Sequence, residues 1–208
     1  MINVIFDMDG TLINSANAIC EAVNEIRKDL NLKSLEHDFI MQTINTPGKD
    51  WAKILYDIDD FEQSSFKDGF EKYFIKHYQQ SVILYEGIKE TLAYLKRKNC
   101  YLAIATNAPQ SSLLEILKKH DIVHFFDKIL GVSLGIEPKP NPMMITLIKD
   151  EARFKKTIFV GDSQKDRLAA FNAKVPYFHA KWGQKEALED EFRDYKELIK
   201  KLDLVLDA

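Results

Sequence analysis

Apolar and polar positions fall along this chain in two patterns that divide it. Ile2 to Phe6 is a short, mainly apolar run that breaks into Asp7-Met8-Asp9-Gly10-Thr11, the profile of a buried strand ending in a polar loop. After Leu12 and Ile13 the period becomes helical. Ile19, Val23, Ile26 and Leu30 recur at spacings of four, three and four, with Ser15 placed to cap the helix. Phe39, Ile40 and Ile44 predict a second helix, Pro47 and Gly48 punctuate, and Trp51, Ile54, Leu55 and Ile58 predict a third. Phe66, Phe70, Phe74 and Tyr78 then keep one face of a longer helix apolar. These stripes predict a helix-bundle core, and nothing from 15 to 80 alternates like a strand.

From Tyr85-Glu86-Gly87 onward helices and strands alternate. Ile88, Leu92 and Leu95 predict a helix, and Tyr101 to Ala105 a buried strand ending in Thr106-Asn107-Ala108-Pro109. A helix through Leu113, Leu114 and Leu117 and a strand around Ile129 and Leu130 follow, then the segment Glu137-Pro138-Lys139-Pro140-Asn141-Pro142. Met144, Ile145, Leu147 and Ile148 predict a helix, Thr157 to Val160 a strand ending in Gly161-Asp162-Ser163, and Leu168 to Ala173 another helix. Tyr177 and Phe178 suggest a last strand, and the charged segment from Lys185 to Leu202 a closing helix. Such alternation predicts an α/β fold, a doubly wound and mainly parallel sheet covered on both faces. The first two strands end near Asp7 and Thr106, whereas a whole βαβ unit needs only about 30 residues. The excess predicts an inserted helical domain at 14–82, with the α/β core formed by 1–13 and 83–208.

Composition narrows the partners. With 208 residues, 46% hydrophobic and 29% charged, the chain falls in the ordinary globular class, and its net charge of -3 points to neither nucleic acid nor membrane. Cys20 and Cys100 stand apart without metal spacing, so they are expected to be reduced thiols of a cytoplasmic protein. Asp7 interrupts any apolar leader, and no apolar run approaches about 18 residues.

The polar clusters share one expected position, the carboxyl ends of strands, where open α/β sheets bind ligands. Asp7 and Asp9 lie two apart and can face the same way, with Gly10 allowing a sharp turn beside them. On those residues alone an exposed polar turn explains them as well. Together with Thr106, Asn107, Lys139, Asp162 and Asp166 they make an inventory sufficient for phosphoryl transfer: donors and a cation for phosphate oxygens, carboxylates suited to Mg²⁺, and a carboxylate nucleophile. Asp9 is suited to protonate a leaving alkoxide and later to take a proton from water.

Here the chain resembles the haloacid dehalogenase superfamily over nearly its whole length. Four motifs stand in the family's order: Asp7-x-Asp9-Gly10-Thr11, Thr106-Asn107, Lys139-Pro140, and Gly161-Asp162 with Asp166. The resemblance implies Asp7 as nucleophile and metal ligand, and Asp9 as general acid/base that also ligates through its main-chain carbonyl. It places Thr106, Asn107 and Lys139 around the phosphate, Asp162 on Mg²⁺, and Asp166 behind the metal or on a bound water. The helical insertion and Lys181-Trp182-Gly183 resemble the subgroup of phosphoglycolate phosphatase and β-phosphoglucomutase. Near Lys174 the usual glycine is absent, a departure that touches a loop and not the chemistry.

Other readings fare worse. Counted as a calcium loop from Asp7, the sixth and twelfth positions are Leu12 and Ala18 instead of glycine and glutamate. Pro47-Gly48-Lys49 lacks the first glycine of a P-loop, since Thr43 stands there. The five histidines show no metal spacing. Asp9 argues against a dehalogenase, whose leaving group needs no acid. A mutase must hold a second phosphate, and no arginine lies between 28 and 96, although Lys49 could serve as a point charge. The expected function is therefore Mg²⁺-dependent hydrolysis of a small phosphorylated metabolite, with a phosphosugar mutase as the alternative and a non-catalytic phosphate-binding protein as the alternative of another class.

Overall fold

The computed structural model describes residues 1–59 and 67–207, with residues 67–71 described by their backbone. The chain forms two compact units, Met1–Ile13 with Leu84–Ala208, and Asn14–Ile83.

The first unit is built on β1 (Asn3–Phe6), whose four residues are all buried. The chain passes into the second unit through β2 (Ile13–Asn14). That unit contains α1 (Ala16–Asp29), α2 (His37–Asn45), α3 (Trp51–Tyr56) and α4 (Lys67–Ser81), and the chain returns through β3 (Ile83–Leu84), which pairs with β2. The core then continues with α5 (Ile88–Arg97), β4 (Tyr101–Pro109), α6 (Gln110–Lys119), β5 (Lys128–Val132), α7 (Met143–Glu151), β6 (Thr157–Gly161), α8 (Gln164–Asn172), β7 (Tyr177–Ala180), β8 (Glu191–Phe192) and α9 (Tyr195–Asp207).

The six-stranded sheet runs β5-β4-β1-β6-β7-β8 with parallel pairing throughout. From β1 the chain builds outward through β4 and β5, then returns to the other side of β1 for β6, β7 and β8. The order thus reverses at β1, which fixes the expected ligand crevice at the ends of β1, β4 and β6. Ile5, Ala103, Ala105 and Phe159 of those strands pack with Met144, Ile145 and Ile148 of α7 and Ala169 and Ala170 of α8. Small alanines on strand and helix allow this close layering. The buried amide of Asn3 is satisfied inside the core: it donates to Phe154 O (2.6 Å) and Thr157 Oγ1 (2.9 Å) and accepts from Phe154 N (3.0 Å).

In the helical unit α1 is the centre, packing on α2, α3 and α4. Arg27 is buried and spends its guanidinium on carbonyls, Lys33 O at 2.6 Å and Leu55 O, which ties α1 to α3. Its outer edge is laced by Tyr73 with Asp29 (2.7 Å), Lys76 with Glu25 (2.5 Å), and His77 with Glu25 (2.5 Å) and Glu21 (3.2 Å).

Several expectations need correction. Ser15 occupies the N-cap position of α1, yet its hydroxyl makes no capping bond and has no hydrogen-bond partner in the structure. Phe39 and Ile54, on the predicted core stripes, are 42% and 39% exposed, and Ile54 falls on the side of α3 opposite the face that buries Ala52, Leu55 and Tyr56. Ile58 falls outside α3, which Asp57 terminates in a left-handed conformation (φ 59°). Phe66 and the side chain of Phe70 lie outside the described residues. The segment from Lys185 to Leu202 is not one helix. Glu191–Phe192 adds β8 to the sheet, with Phe192 fully buried edge-on against Trp182 (5.2 Å), and the helix begins at Tyr195. Lys174, where glycine is usual, adopts φ 55° itself. Cys20 and Cys100 are buried free thiols. No helix among the described residues is long and apolar enough to cross a membrane.

Candidate active site

The loop after β1 is shaped by its own backbone. Asp7 N donates to Val160 O (2.8 Å), which extends the ladder by one residue and fixes where the Asp7 carboxylate begins. Met8 O then accepts from Leu12 N (2.9 Å) and Ile13 N (3.0 Å), while Gly10 N donates to Ile13 O (2.8 Å), closing a tight turn. Gly10 has φ +78°, and a Cβ there would lie 2.1 Å from Asp162 Oδ2. Both the left-handed backbone and the approach of that carboxylate require glycine. Thr11, buried, donates to Asp162 Oδ1 (3.2 Å) and so helps to orient it.

The loop after β4 works on Lys139. Asn107 pairs with the Lys139 backbone in both directions, accepting from its N–H on Oδ1 (2.7 Å) and donating Nδ2 to its carbonyl (3.0 Å). Asn107, expected around the phosphate, thus spends one amide proton and its oxygen on holding Lys139. Thr106 is buried and accepts from Ala108 N (3.2 Å), which leaves its hydroxyl proton to donate. The Lys139 ammonium, 3% exposed, donates to Asp7 Oδ1 (2.5 Å) and Ala105 O (2.8 Å) and stands 2.5 Å from Asp166 Oδ1.

After β6 the chain enters α8 through a capping box. Ser163 Oγ accepts from Asp166 N (3.2 Å), and Asp166 Oδ2 accepts from Ser163 N (3.0 Å), Ser163 Oγ (2.6 Å) and Asp162 N (3.3 Å). Asp166 therefore has two duties, one oxygen shaping the loop and the other facing Lys139. A Cβ at Gly161 would lie 2.6 Å from the Asp166 Cβ, so this close return also needs glycine.

Carboxylate oxygens of Asp7, Asp162 and Asp166 lie within 4.8 Å of one another. Asp9 is half-buried, its backbone bridged to Ile13 at the turn. Of the sequence-nominated residues, Asp7, Lys139, Asp162 and Asp166 meet through their side chains, and Asn107 joins through the Lys139 backbone. The structure adds Thr11 and Ser163 to the site: Thr11 closes the first motif, and Ser163-x-x-Asp166 has the spacing of a capping box.

The charges do not balance. Burial pushes the Asp7 carboxyl up to about 7, against the pull of Lys139 and with the push of Asp166 and Asp9. Burial, then Asp7 and Asp166, also raise Asp162 well above the usual carboxylate range. Burial works against the Lys139 charge, but Asp166 and Asp7 more than offset it and hold its pKa above the ordinary lysine value. With all three carboxylates ionised, Asp7, Asp162 and Asp166 would outweigh the one ammonium by two negative charges, which one divalent cation would balance. An all-oxygen donor set suits a hard ion such as Mg²⁺.

The sequence profile of the haloacid dehalogenase-like hydrolases matches residues 4–180. The phosphoglycolate phosphatase of Pasteurella multocida is 33% identical over 180 residues, covering 81% of this chain and 80% of that protein. The solved structure of a predicted phosphoglycolate phosphatase from Haemophilus somnus is 28% identical and superposes with a TM-score of 0.83 over 96% of this chain and 97% of that one. A candidate β-phosphoglucomutase from Thermotoga maritima shares the fold at 24% identity, with a TM-score of 0.74 over 99% and 100% of the two chains.

Proposed function

The chain belongs to the haloacid dehalogenase-like hydrolase family, and from that premise we propose that it is a Mg²⁺-dependent phosphatase that hydrolyses a small phosphomonoester, phosphoglycolate-like or a sugar phosphate, through an aspartyl-phosphate. The observation that carries this reading is the cluster of Asp7, Asp162 and Asp166 carboxylates, two of which, Asp7 and Asp166, pair with the buried Lys139 ammonium. The phosphoglycolate phosphatases among its relatives support the substrate class.

Asp7 is the nucleophile. One of its oxygens forms a bond to phosphorus as the bond to the leaving oxygen breaks, and Asp9 delivers a proton to the departing alkoxide. Asp9 then takes a proton from the water that attacks the aspartyl-phosphate, releasing inorganic phosphate and restoring Asp7. The Lys139 ammonium and the Thr106 hydroxyl offset charge on the phosphoryl oxygens. Asp7, Asp162 and the main-chain carbonyl of Asp9 would hold Mg²⁺, with Asp166 behind them, and the bound ion supplies further compensation for phosphoryl charge. The lack of arginine between 28 and 96 favours hydrolysis over a mutase, which needs a grip on a second phosphate. The partner is a small phosphorylated metabolite, and the two buried thiols accord with a cytoplasmic setting.

Purified protein with Mg²⁺ should release inorganic phosphate from members of a phosphomonoester panel that includes phosphoglycolate, acetyl phosphate and p-nitrophenyl phosphate. Phosphate binding without release from any of them would move the reading to a non-catalytic binding protein. Isomerisation of a phosphosugar in place of release would move it to a mutase.

A further inference from the structure

The loop bearing Asp162 and the cap of α8 is held by groups outside the four motifs. Tyr177 opens β7, and its ring lies 5.9 Å from that of Phe159 and 5.1 Å from the guanidinium carbon of Arg167 on α8. Its hydroxyl stands 3.4 Å from the Ser163 carbonyl oxygen and 2.8 Å from His179 Nδ1. A tyrosine hydroxyl has a single proton, so both contacts are hydrogen bonds only if His179 donates from Nδ1 and Tyr177 donates to Ser163. His179 is 8% exposed, and its backbone N–H donates to Asp190 O (2.8 Å). The Asp190 carboxylate in turn pairs with Arg167 (2.5 Å). The contacts therefore close a ring, from Arg167 through Asp190, His179 and Tyr177 to Ser163, the N-cap of the helix that carries Arg167 and Asp166.

We propose that Tyr177 is a positioning residue: by holding the Ser163 carbonyl and the Arg167 side chain together, it sets the path of the peptide that joins Asp162 to the helix bearing Asp166. The inference rests on the reading above, in which these carboxylates serve a divalent cation, and it assigns a role that none of the four motifs contains. Groups that orient ligands from behind are worth about 10- to 100-fold in metal affinity, and a bond as long as this one belongs at the lower end.

The test is Tyr177→Phe, which keeps the ring against Phe159 and Arg167 and removes the hydroxyl alone. In the metal-free variant, amide hydrogen exchange within residues 161–166 should quicken several-fold with the rest of the sheet unchanged. Mg²⁺ affinity by titration calorimetry should weaken about 10-fold at an almost unaltered melting temperature. Wild-type exchange in that segment overturns the proposal, and so does quickened exchange with wild-type Mg²⁺ affinity, which would make the bond merely structural. Quickened exchange in a protein whose wild type takes up no Mg²⁺ supports Tyr177 as the holder of the loop and sinks the cation reading instead.

Discussion

Asp7 sits where burial opposes its charge, and that conflict has a measurable consequence. Its folded pKa, about 7, lies above the value of 3.8 taken for the unfolded chain. Between those values the native state holds a proton that the unfolded chain has released, so the stability Asp7 contributes is present at low pH and lost as the pH rises through 7. Asp162 shifts in the same direction. In metal-free protein, Asp7→Asn should therefore raise the unfolding free energy by roughly 2 kcal/mol at pH 8 and by much less at pH 5. Urea unfolding in EDTA at the two pH values checks this, and equal effects would remove Asp7 from the buried acid excess. Gly10→Ala forces a Cβ to within 2.1 Å of Asp162 Oδ2 at φ +78°. It should cost about 2 kcal/mol or more and lower turnover at least 10-fold by displacing that carboxylate. At this scale the sequence was readable where polar residues stand at strand ends, as with Asp7 and Lys139, whose side chains the structure brings together. It was less readable where a residue acts on another: the pairing of Asn107 with the Lys139 backbone depends on two loops 32 positions apart meeting in space.

Among the elements, those with a full period of apolar positions were legible. α1, α5 and β6 lie where their spacing put them, because each buries a continuous face or run. The misses have separate causes, one in tertiary packing and one in local capping. β8 is two residues long, and the burial of Phe192 against Trp182 overrides the helical look of its charged neighbours. The start of α8 was set too late because the capping box of Ser163 and Asp166, and not hydrophobic spacing, marks it. Lys174 offers a test at this scale. It ends α8 at φ 55°, a conformation that costs a side-chain-bearing residue about 1 kcal/mol. Lys174→Gly should raise stability by up to about 1 kcal/mol once the greater freedom of unfolded glycine is counted. Thermal or urea unfolding reads this directly, and a clear loss of stability would show that the lysine side chain outweighs its backbone strain.

The α/β unit follows from one sheet whose order reverses at β1, so that loops distant in sequence end on a common edge. That gathering was legible because four polar clusters each follow a predicted strand, and the long gap between the first two strands marked an insertion. In the proposed cycle Asp7 and Asp9 share a loop and divide the chemistry. Asp9→Asn should reduce turnover by about 100-fold or more while leaving beryllium fluoride able to bind at Asp7. Unchanged turnover would remove the general acid from Asp9. The covalent intermediate can be sought by quenching the enzyme during turnover, reducing any acyl phosphate with borohydride and locating the product by peptide mass spectrometry. Modification should appear at Asp7, dependent on Mg²⁺ and substrate, and be absent when Asp9 remains but Asp7 is changed to Asn. Sustained phosphate release with Asp7 unmodified, and undiminished in Asp7→Asn, would contradict that intermediate.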